Sequence, residues 1–316
     1  MVDMPFVEKY RPKSLKDIVG QEAIITRLKG FVNDKSMPHL IFAGPAGTGK
    51  TTSAIALARD MFKGTFNENY KELNASDARG IAVIRTMVKD FARTHPVGEA
   101  SFKILVLDEA DNMTAPAQHA LRRTMENFTK TCRFILICNY SNKIIAPIQS
   151  RCAVLRFTPL TNDDITKRLQ YISKKEGINL SDKGCEAILY VAGGDCRKAV
   201  NILQAVSTIS KDVSDESVYQ ITGRVYPEQI REMIQMALDG ELNKAQERLE
   251  QLLLEFGLAG SEIIKQIHSE IFNMDVSESV KIDLVKIVSE IDFRLNQGAS
   301  EMIQLNALLA KIVLLS

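Results

Sequence analysis

Short apolar runs alternate with helical patterns over the first half of the chain. The strand candidates are 39–44, 70–76, 102–111, 133–139 and 153–157. The helix candidates between them are 50–62, 79–93 and 114–127. Several of the strand candidates are almost continuously apolar, which is typical of strands buried on both faces. Strands that alternate with helices predict an α/β fold with a parallel sheet and right-handed crossovers.

After residue 160 the strand-length runs end and the pattern is helical. The helix candidates are 162–176, 182–192, 196–209 and 214–221, followed by a block that begins near Pro227. Within 241–255 the apolar residues fall on one helical face. The segments 281–295 and 302–316 are too apolar for helices with three solvated sides. They are either buried helices of a bundle or a surface that closes against other chains.

Composition narrows the class of protein. A length of 316 residues predicts two or three domains, and the five cysteines lie singly, which indicates neither a zinc site nor a disulfide framework. No segment resembles a membrane span or a signal peptide, so we expect no membrane partner and a cytoplasmic protein, or a nuclear one if it is eukaryotic. Because 40 basic residues balance 39 acidic ones, any binding of nucleic acid must use a local patch.

A phosphate-binding loop connects the first strand candidate to the helix that follows it. The segment GPAGTGKT (44–51) matches G-x-x-x-x-G-K-[ST] in the context that this motif requires. Its backbone N–H groups would surround the phosphates of ATP, Lys50 would reach the β- and γ-phosphates, and Thr51 would hold Mg²⁺. The predicted contacts to the nucleotide in this loop are Gly44, Pro45, Ala46, Gly47, Thr48, Gly49, Lys50, Thr51 and Thr52.

Two later strands supply the polar groups that hydrolysis needs. Asp108 ends the strand in ILVLDEAD and can complete the Mg²⁺ shell, while Glu109 can polarise the attacking water. Asp111 is assigned to structure or to solvation of the metal. Asn139 ends the next strand, at the sheet edge where ligands bind, and can hold the water or the γ-phosphate. The alternatives are a solvated acidic turn at 108–111 and a turn asparagine at 139.

Eight segments in this order resemble the small subunit of replication factor C, the clamp loader, within the AAA+ ATPases. They are FVEKYRPKSLKDIVGQE (6–22), GPAGTGKTT (44–52), NASDARGI (74–81), LDEAD (107–111), ALRRTME (120–126), CNY (138–140), IQSRC (148–152) and GGDCRKAVN (193–201). The match spans nearly the whole chain and is closest to the archaeal form. The chain departs from the family at Phe6, where Trp is usual, and at Ala46, where a second Pro is usual.

The resemblance implies a fold of three parts. A RecA-like P-loop domain with a five-stranded parallel sheet would cover 1–160, and a helical lid would cover 161–225. Together they would form the AAA+ module. An all-α collar that assembles subunits into a ring would cover 226–316.

The resemblance also implies roles for residues outside the phosphate-binding loop. Arg151, in the SRC motif, would act in trans as an arginine finger on the ATP of the neighbouring subunit; the alternative is a surface arginine that is paired locally. Arg197 would contact the phosphates of its own subunit's ATP, although a salt-bridged helix residue is an alternative. Tyr10, Arg11 and Pro12 would line the adenine pocket.

Contacts to DNA and to the clamp follow from the same resemblance. Arg79, Arg85 and Lys143 match positions that touch the DNA backbone, and a few such contacts per subunit, repeated around a ring, can supply affinity. The alternative is an ordinary solvated surface. Phe91 is either an apolar anchor for the sliding clamp or a core residue.

We therefore predict an ATPase subunit of a clamp loader. Its partners would be a large subunit, other copies of the small subunit, a PCNA-type sliding clamp and primer–template DNA. ATP binding would open the clamp and favour DNA binding, and hydrolysis would release the closed clamp. The alternatives are an AAA+ DNA motor such as a branch-migration helicase, and a non-catalytic scaffold subunit of a loader.

Overall fold

A computed structural model describes residues 4–75 and 81–315, with the side chains of 81–85 left out. Arg79 and the side chain of Arg85 therefore lie outside the described residues. Contacts group the chain into two units, Met1–Val213 and Ser214–Ser316. The boundaries 1–160, 161–225 and 226–316 stay a prediction. Within the described ranges, no helix combines the length and the apolar character needed to span a membrane.

The first unit contains the predicted five-stranded parallel sheet. Its strands are β1 (His39–Ala43), β2 (Tyr70–Asn74), β3 (Lys103–Asp108), β4 (Cys132–Cys138) and β5 (Cys152–Arg156). The order across the sheet is β2-β3-β4-β1-β5, and every pair of neighbours is parallel. Strand β1 is buried along its whole length, and only the last residue of β3 and one residue of β4 are less than buried. This burial on both faces explains why these strands are almost continuously apolar.

Helices cover both faces of the sheet and continue into a helical part of the same unit. They are α1 (Phe6–Lys9), α2 (Glu22–Asn33), α3 (Lys50–Phe62), α4 (Phe66–Asn69), α5 (Ile81–Arg93), α6 (Ala115–Asn127), α7 (Ala146–Gln149), α8 (Asn162–Glu176), α9 (Asp182–Ala192) and α10 (Cys196–Ile209). We call α8–α10 the lid helices. Each of them begins after a side chain that caps its first turn: Thr161, Ser181 and Asp195.

The prediction that strands end at residue 160 is wrong in one detail. Two-residue strands β6 (Asn179–Leu180) and β7 (Asp212–Val213) form a parallel pair beside the lid helices. A strand of two residues is too short to show a period in the sequence. Gly184 permits the close approach here, because a Cβ at this position would lie 2.3 Å from the carbonyl oxygen of Val213.

The second unit is entirely helical in its described residues. Its helices are α11 (Asp215–Thr222), α12 (Pro227–Leu238), α13 (Leu242–Phe256), α14 (Gly260–Ile271), α15 (Glu278–Asn296) and α16 (Glu301–Val313). Helices α15 and α16 each bury one apolar stripe in the core of this unit, as the bundle alternative predicts. They also leave Ile282, Phe293 and Ile303 more than half exposed. The extra apolar residues of these segments therefore lie outside the core.

A neutral histidine is buried in β1. His39 is 7% exposed, its Nδ1 accepts a hydrogen bond from the backbone N–H of Phe134 at 3.1 Å, and the two rings pack edge to face. Burial lowers the pKa of His39 from 6.5 to about 4, and the nearby Arg133 contributes. Between about pH 4 and 6.5 the imidazole is therefore mostly neutral in the native chain and mostly protonated in the unfolded chain.

We expect this histidine to make the first unit less stable in mild acid. Above pH 6.5 the imidazole is neutral in both states, and as the pH falls from 6.5 toward 4 only the unfolded chain gains the proton. Stability should fall by about 3 kcal/mol over that window. Urea unfolding at several pH values should show a shallower loss for His39→Gln, and the exposed control His95→Gln should keep the wild-type slope. Equal slopes for wild type and His39→Gln would contradict the assignment.

Candidate functional site

The phosphate-binding loop lies between the end of β1 and the first turn of α3. Gly47 and Gly49 have φ values of 70° and 91°, in the region that favours glycine. Gly47 also lies directly against the lid helices, since a Cβ at this position would be 1.8 Å from Oδ1 of Asp195. The loop is therefore shaped by its own backbone and by the cap of α10.

Lys50 is held inside this loop. Its side chain is 8% exposed, and Nζ donates to the carbonyl oxygens of Gly44 and Pro45 at 2.7 Å each and to Oδ1 of Asn139 at 3.2 Å. Burial lowers the pKa of Lys50, and the carboxylate of Asp108 partly offsets this effect. The structure thus brings together the predicted lysine of α3 and the predicted asparagine at the end of β4.

Thr51 and Asp108 meet where β3 ends. The hydroxyl of Thr51 donates to Oδ2 of Asp108 at 2.8 Å, and Oδ1 of Asp108 accepts the backbone N–H of Glu109 at 2.8 Å. A hydroxyl oxygen and a carboxylate oxygen side by side are the donors that Mg²⁺ takes from protein when substrate phosphates and water complete its shell. The residues present therefore fit the predicted metal.

Glu109 follows at a strained position. Its φ is 53°, which is uncommon for a residue other than glycine, and its Oε2 accepts a hydrogen bond from the Asn112 side chain at 3.3 Å. The side chain is exposed and lines the same cavity as Lys50. Strained backbone of this kind is concentrated at functional sites.

Asp111 has a positioning role that the sequence alone did not resolve. Its Oδ2 accepts the backbone N–H groups of Asn139 at 3.2 Å and Tyr140 at 3.1 Å. The carboxylate therefore ties the turn after β3 to the end of β4. The short spacing within LDEAD was the available signal, but it did not identify the partner strand.

One cavity of about 270 Å³ connects the phosphate-binding loop, α1 and the lid helices. The predicted site residues that line it are Tyr10, Arg11, Pro12, Ala46, Gly47, Thr48, Gly49, Lys50, Thr51, Thr52, Asp108, Glu109, Asn139 and Arg197. Gly44 and Pro45 instead accept hydrogen bonds from Lys50 through their carbonyl groups. The residues predicted to bind nucleotide therefore converge from five separate parts of the first unit: 10–12, 44–52, 108–109, 139 and 197.

Apolar residues also line the cavity, and the sequence did not identify them as site residues. They are Phe6, Val7, Ile18, Val19, Ile137, Leu160, Ile172 and Val200. Arg168 and Cys196 of the lid helices line it as well. Phe6, Val7, Ile18 and Val19 lie within the segment 6–22, but nothing in that segment marks an apolar side chain as a site residue. Ile172 and Val200 carry no local motif, so only their position in the folded chain identifies them.

Arg197 lies in the first turn of α10 at the cavity wall. It is exposed, and its charge contributes to the lowered pKa of Lys50. Among residues 4–75 and 81–315 no carboxylate oxygen lies within 4.0 Å of its guanidinium, so the chain itself does not supply the salt bridge of the alternative interpretation. A cation at this wall faces the same space as Lys50.

Unlike Arg197, Arg151 does not lie at the nucleotide cavity of its own chain. The described residues that line the cavity do not include it. Its guanidinium is 2.7 Å from Oε1 of Glu126 on α6 and donates to the carbonyl oxygen of Pro147 at 2.8 Å. The side chain is 41% exposed. In a single chain this arginine is therefore paired locally, at a surface away from its own nucleotide cavity.

Two other predicted contacts have ordinary surroundings in a single chain. Lys143 is exposed in the turn Ser141–Lys143, with Nζ 5.1 Å from the centre of the Tyr140 ring. Phe91 is partly buried against the core beside the sheet, and Nζ of Lys103 lies 4.1 Å from its ring centre. Phe91 thus has the packing of the core alternative.

Two protein-family models match this chain, one within each of its two units. The model of the AAA family, ATPases associated with various cellular activities, matches residues 40–160. The model of the replication factor C C-terminal domain matches residues 225–311.

Three similar proteins are each named replication factor C small subunit. The one from Methanococcus vannielii is 51% identical over 98% of this chain and 99% of its own length. The one from Archaeoglobus fulgidus is 52% identical over 96% of each chain. The one from Thermofilum pendens is 53% identical over 98% of this chain and 97% of its own.

A solved structure shares the fold at low identity. The Holliday junction branch migration motor RuvB of Thermotoga maritima superposes with a TM-score of 0.57 and 17% identity. The match covers 78% of this chain and 90% of the other. It supports the AAA+ fold predicted for the strands and lid helices.

Proposed function

The chain belongs to the replication factor C small subunits, which are AAA+ ATPase components of clamp loaders, and we propose that it opens a PCNA-type sliding clamp and loads it onto primer–template DNA. The observation that supports this most strongly is identity above 50% to these small subunits over almost the whole chain. The cavity described above gives that assignment its chemistry.

ATP would lie across the cavity with its phosphates at the loop. Lys50 and Arg197 supply positive charge to the phosphates, and the backbone N–H groups of the loop cradle them. Thr51 and Asp108 would hold Mg²⁺, which when bound neutralises charge on the phosphate oxygens. Tyr10 and its neighbours in 10–12 would face the base together with the apolar wall of the lid helices.

Hydrolysis would use the groups at the ends of β3 and β4. Glu109 orients and polarises the attacking water, and Asn139, whose Oδ1 lies 3.2 Å from Nζ of Lys50, holds the water or the γ-phosphate. Asp111 positions Asn139 through two backbone hydrogen bonds. Loss of any of these groups should slow the chemical step more than it weakens nucleotide binding.

Arg151 would complete the site of a neighbouring subunit. A guanidinium can stabilise the charge that develops on the γ-phosphate, and its delivery from another chain makes hydrolysis depend on assembly. ATP binding would thereby order the assembly, open the clamp and favour DNA, and hydrolysis triggered by DNA would release the closed clamp.

The partners belong to the same proposal. They are a large subunit, further copies of this chain, the sliding clamp and primer–template DNA. Contacts of Arg79, Arg85 and Lys143 with the DNA backbone stay a prediction, as does a cytoplasmic location. The alternative of a scaffold subunit is disfavoured by intact Lys50 and Arg151. The likeness to a branch migration motor concerns the fold alone.

A clamp-retention assay tests this function directly. The chain, assembled with its large subunit, is incubated with a labelled clamp, ATP and primed circular DNA, and clamp that co-elutes with DNA is measured. We expect ATP-dependent loading that Lys50→Ala abolishes, because the ammonium that reaches the phosphates is lost. Movement of a four-way DNA junction without any clamp loading would instead favour the motor alternative.

A further inference from the structure

The short helix α1 is fastened to the end of a lid helix by one carboxylate. Glu176 is the last residue of α8, and its Oε1 accepts hydrogen bonds from Nζ of Lys9 and from the hydroxyl of Tyr10, each at 2.6 Å. These partners are 167 and 166 positions away in the sequence. The Glu176 side chain is only 16% exposed.

Further contacts join the same two parts of the chain. The backbone N–H of Phe6 donates to Oε1 of Gln204 on α10 at 2.8 Å. The ring of Tyr10 packs edge to face against Tyr171 of α8, with 6.1 Å between centroids, and against Phe6 with 5.9 Å. We call this set of five residues, Phe6, Lys9, Tyr10, Glu176 and Gln204, the N-terminal clasp.

The pKa shifts of Glu176 and Tyr10 agree with Glu176 accepting these hydrogen bonds and Tyr10 donating one of them. The bonds from Lys9 and then from Tyr10 hold the pKa of Glu176 below its usual range. Burial, followed by the bond to Glu176, raises the pKa of Tyr10 above 10. At neutral pH the clasp therefore consists of an ionised carboxylate that accepts from a protonated phenol and an ammonium, which is a charge-assisted arrangement.

The clasp contributes to the cavity wall. Phe6 and Tyr10 line the cavity on the side of α1, while Ile172 and Val200 line it from α8 and α10. Helix α1 has four residues, too few for an isolated helix to be stable in water. Its place at the cavity therefore depends on what it is fastened to.

We propose that Glu176 is a positioning residue for nucleotide binding, which fastens the base-facing wall of α1 to the lid helices so that the two close over ATP as one body. This inference rests on the proposed placement of ATP in the cavity. Glu176 acts through Lys9 and Tyr10, and it leaves the groups at the ends of β3 and β4 untouched. Its loss should weaken nucleotide binding and spare the chemical step.

Binding of unmodified radiolabelled ATP to the full chain tests the proposal. Glu176→Ala should raise the dissociation constant about fivefold, as expected for the loss of a charge-assisted contact that is only partly buried. In the assembled loader, kcat at saturating ATP should stay within about twofold of wild type while KM rises. Glu186→Ala, which removes an exposed carboxylate from α9, is the matched control and should bind as wild type does.

Two further variants separate positioning from general loss of structure. If the contact acts through the phenol, the effect of Glu176→Ala should be smaller in a Tyr10→Phe background, since one of its two donors is already absent. The chain has no tryptophan, so Phe6→Trp introduces a single indole into α1, which can be excited selectively over the tyrosines. Quenching of its fluorescence by acrylamide should increase in Glu176→Ala and remain unchanged in Glu186→Ala.

The outcomes distinguish this inference from the placement of ATP. If Lys50→Ala abolishes binding but Glu176→Ala binds ATP like Glu186→Ala, the clasp has no role in affinity and the inference is wrong. If Lys50→Ala also binds normally, ATP does not lie in this cavity and the placement itself fails. A fall in kcat without a rise in KM for Glu176→Ala would equally overturn the positioning role.

Discussion

Mixing Lys50→Ala with Arg151→Ala is expected to restore ATPase activity that neither variant shows alone. Lys50→Ala removes the ammonium that the loop holds beside Asn139, so every cavity formed by this chain is defective. Arg151→Ala leaves each cavity intact but removes the charge offered to the neighbouring one. A trans-acting arginine is worth roughly a thousandfold or more in rate, so each variant alone should be almost inactive.

The expected recovery of activity follows from which variants are neighbours at each interface. In an equal mixture, an active site needs a subunit with intact Lys50 beside a subunit with intact Arg151. Random assembly gives this at about a quarter of the interfaces between small subunits, so about a quarter of wild-type activity should return. The assay requires the large subunit, the clamp and primed DNA, and activity is measured as phosphate release.

A control variant addresses the local ion pair of Arg151. Arg93 on α5 forms a longer and more exposed surface pair with Asp90, at 3.6 Å, so Arg93→Ala shows what the loss of a surface ion pair does on its own. Surface pairs contribute little to stability, and we expect that variant to be active without mixing. If Arg151→Ala behaves in the same way, the arginine is a locally paired surface residue. The trans assignment is then wrong.

The parts predicted correctly from the sequence are those with a local signature. Strands buried on both faces are apolar along their length, so β1, β3 and β4 were recognisable. The phosphate-binding loop needs glycines at fixed spacing, because its backbone takes positive φ values of 70° at Gly47 and 91° at Gly49. In each case neighbours along the chain carry the constraint.

The parts that could not be predicted depend on contacts between distant segments. Glu176 reads as the end of an ordinary helix, and nothing near it indicates that Tyr10 is its partner. Similarly, Glu126 gives no sign that it holds Arg151 in a single chain. These pairs are set by packing of whole elements, which neither periodicity nor a short motif encodes.

Glu109→Gln should separate nucleotide binding from hydrolysis. The substitution keeps the size of the side chain and the same backbone cost at φ 53°, while it removes the negative charge that polarises water. General base catalysis typically contributes about 100-fold to 10,000-fold, so the rate of steady-state hydrolysis should decrease by a factor in that range. The dissociation constant for ATP should change by less than about twofold, because the groups that hold the phosphates are retained.

Asp111→Asn is the control that tests whether charge alone explains this effect. It also removes one negative charge from the cavity lining, but its remaining carbonyl oxygen can still accept the backbone N–H groups of Asn139 and Tyr140. We expect hydrolysis by Asp111→Asn to fall less than about tenfold, since the water-polarising group is intact. Equal losses for the two variants would mean that the net charge of the cavity, and no specific role of Glu109, controls the rate. An active Glu109→Gln would move the search for the water-polarising group to another residue of the cavity.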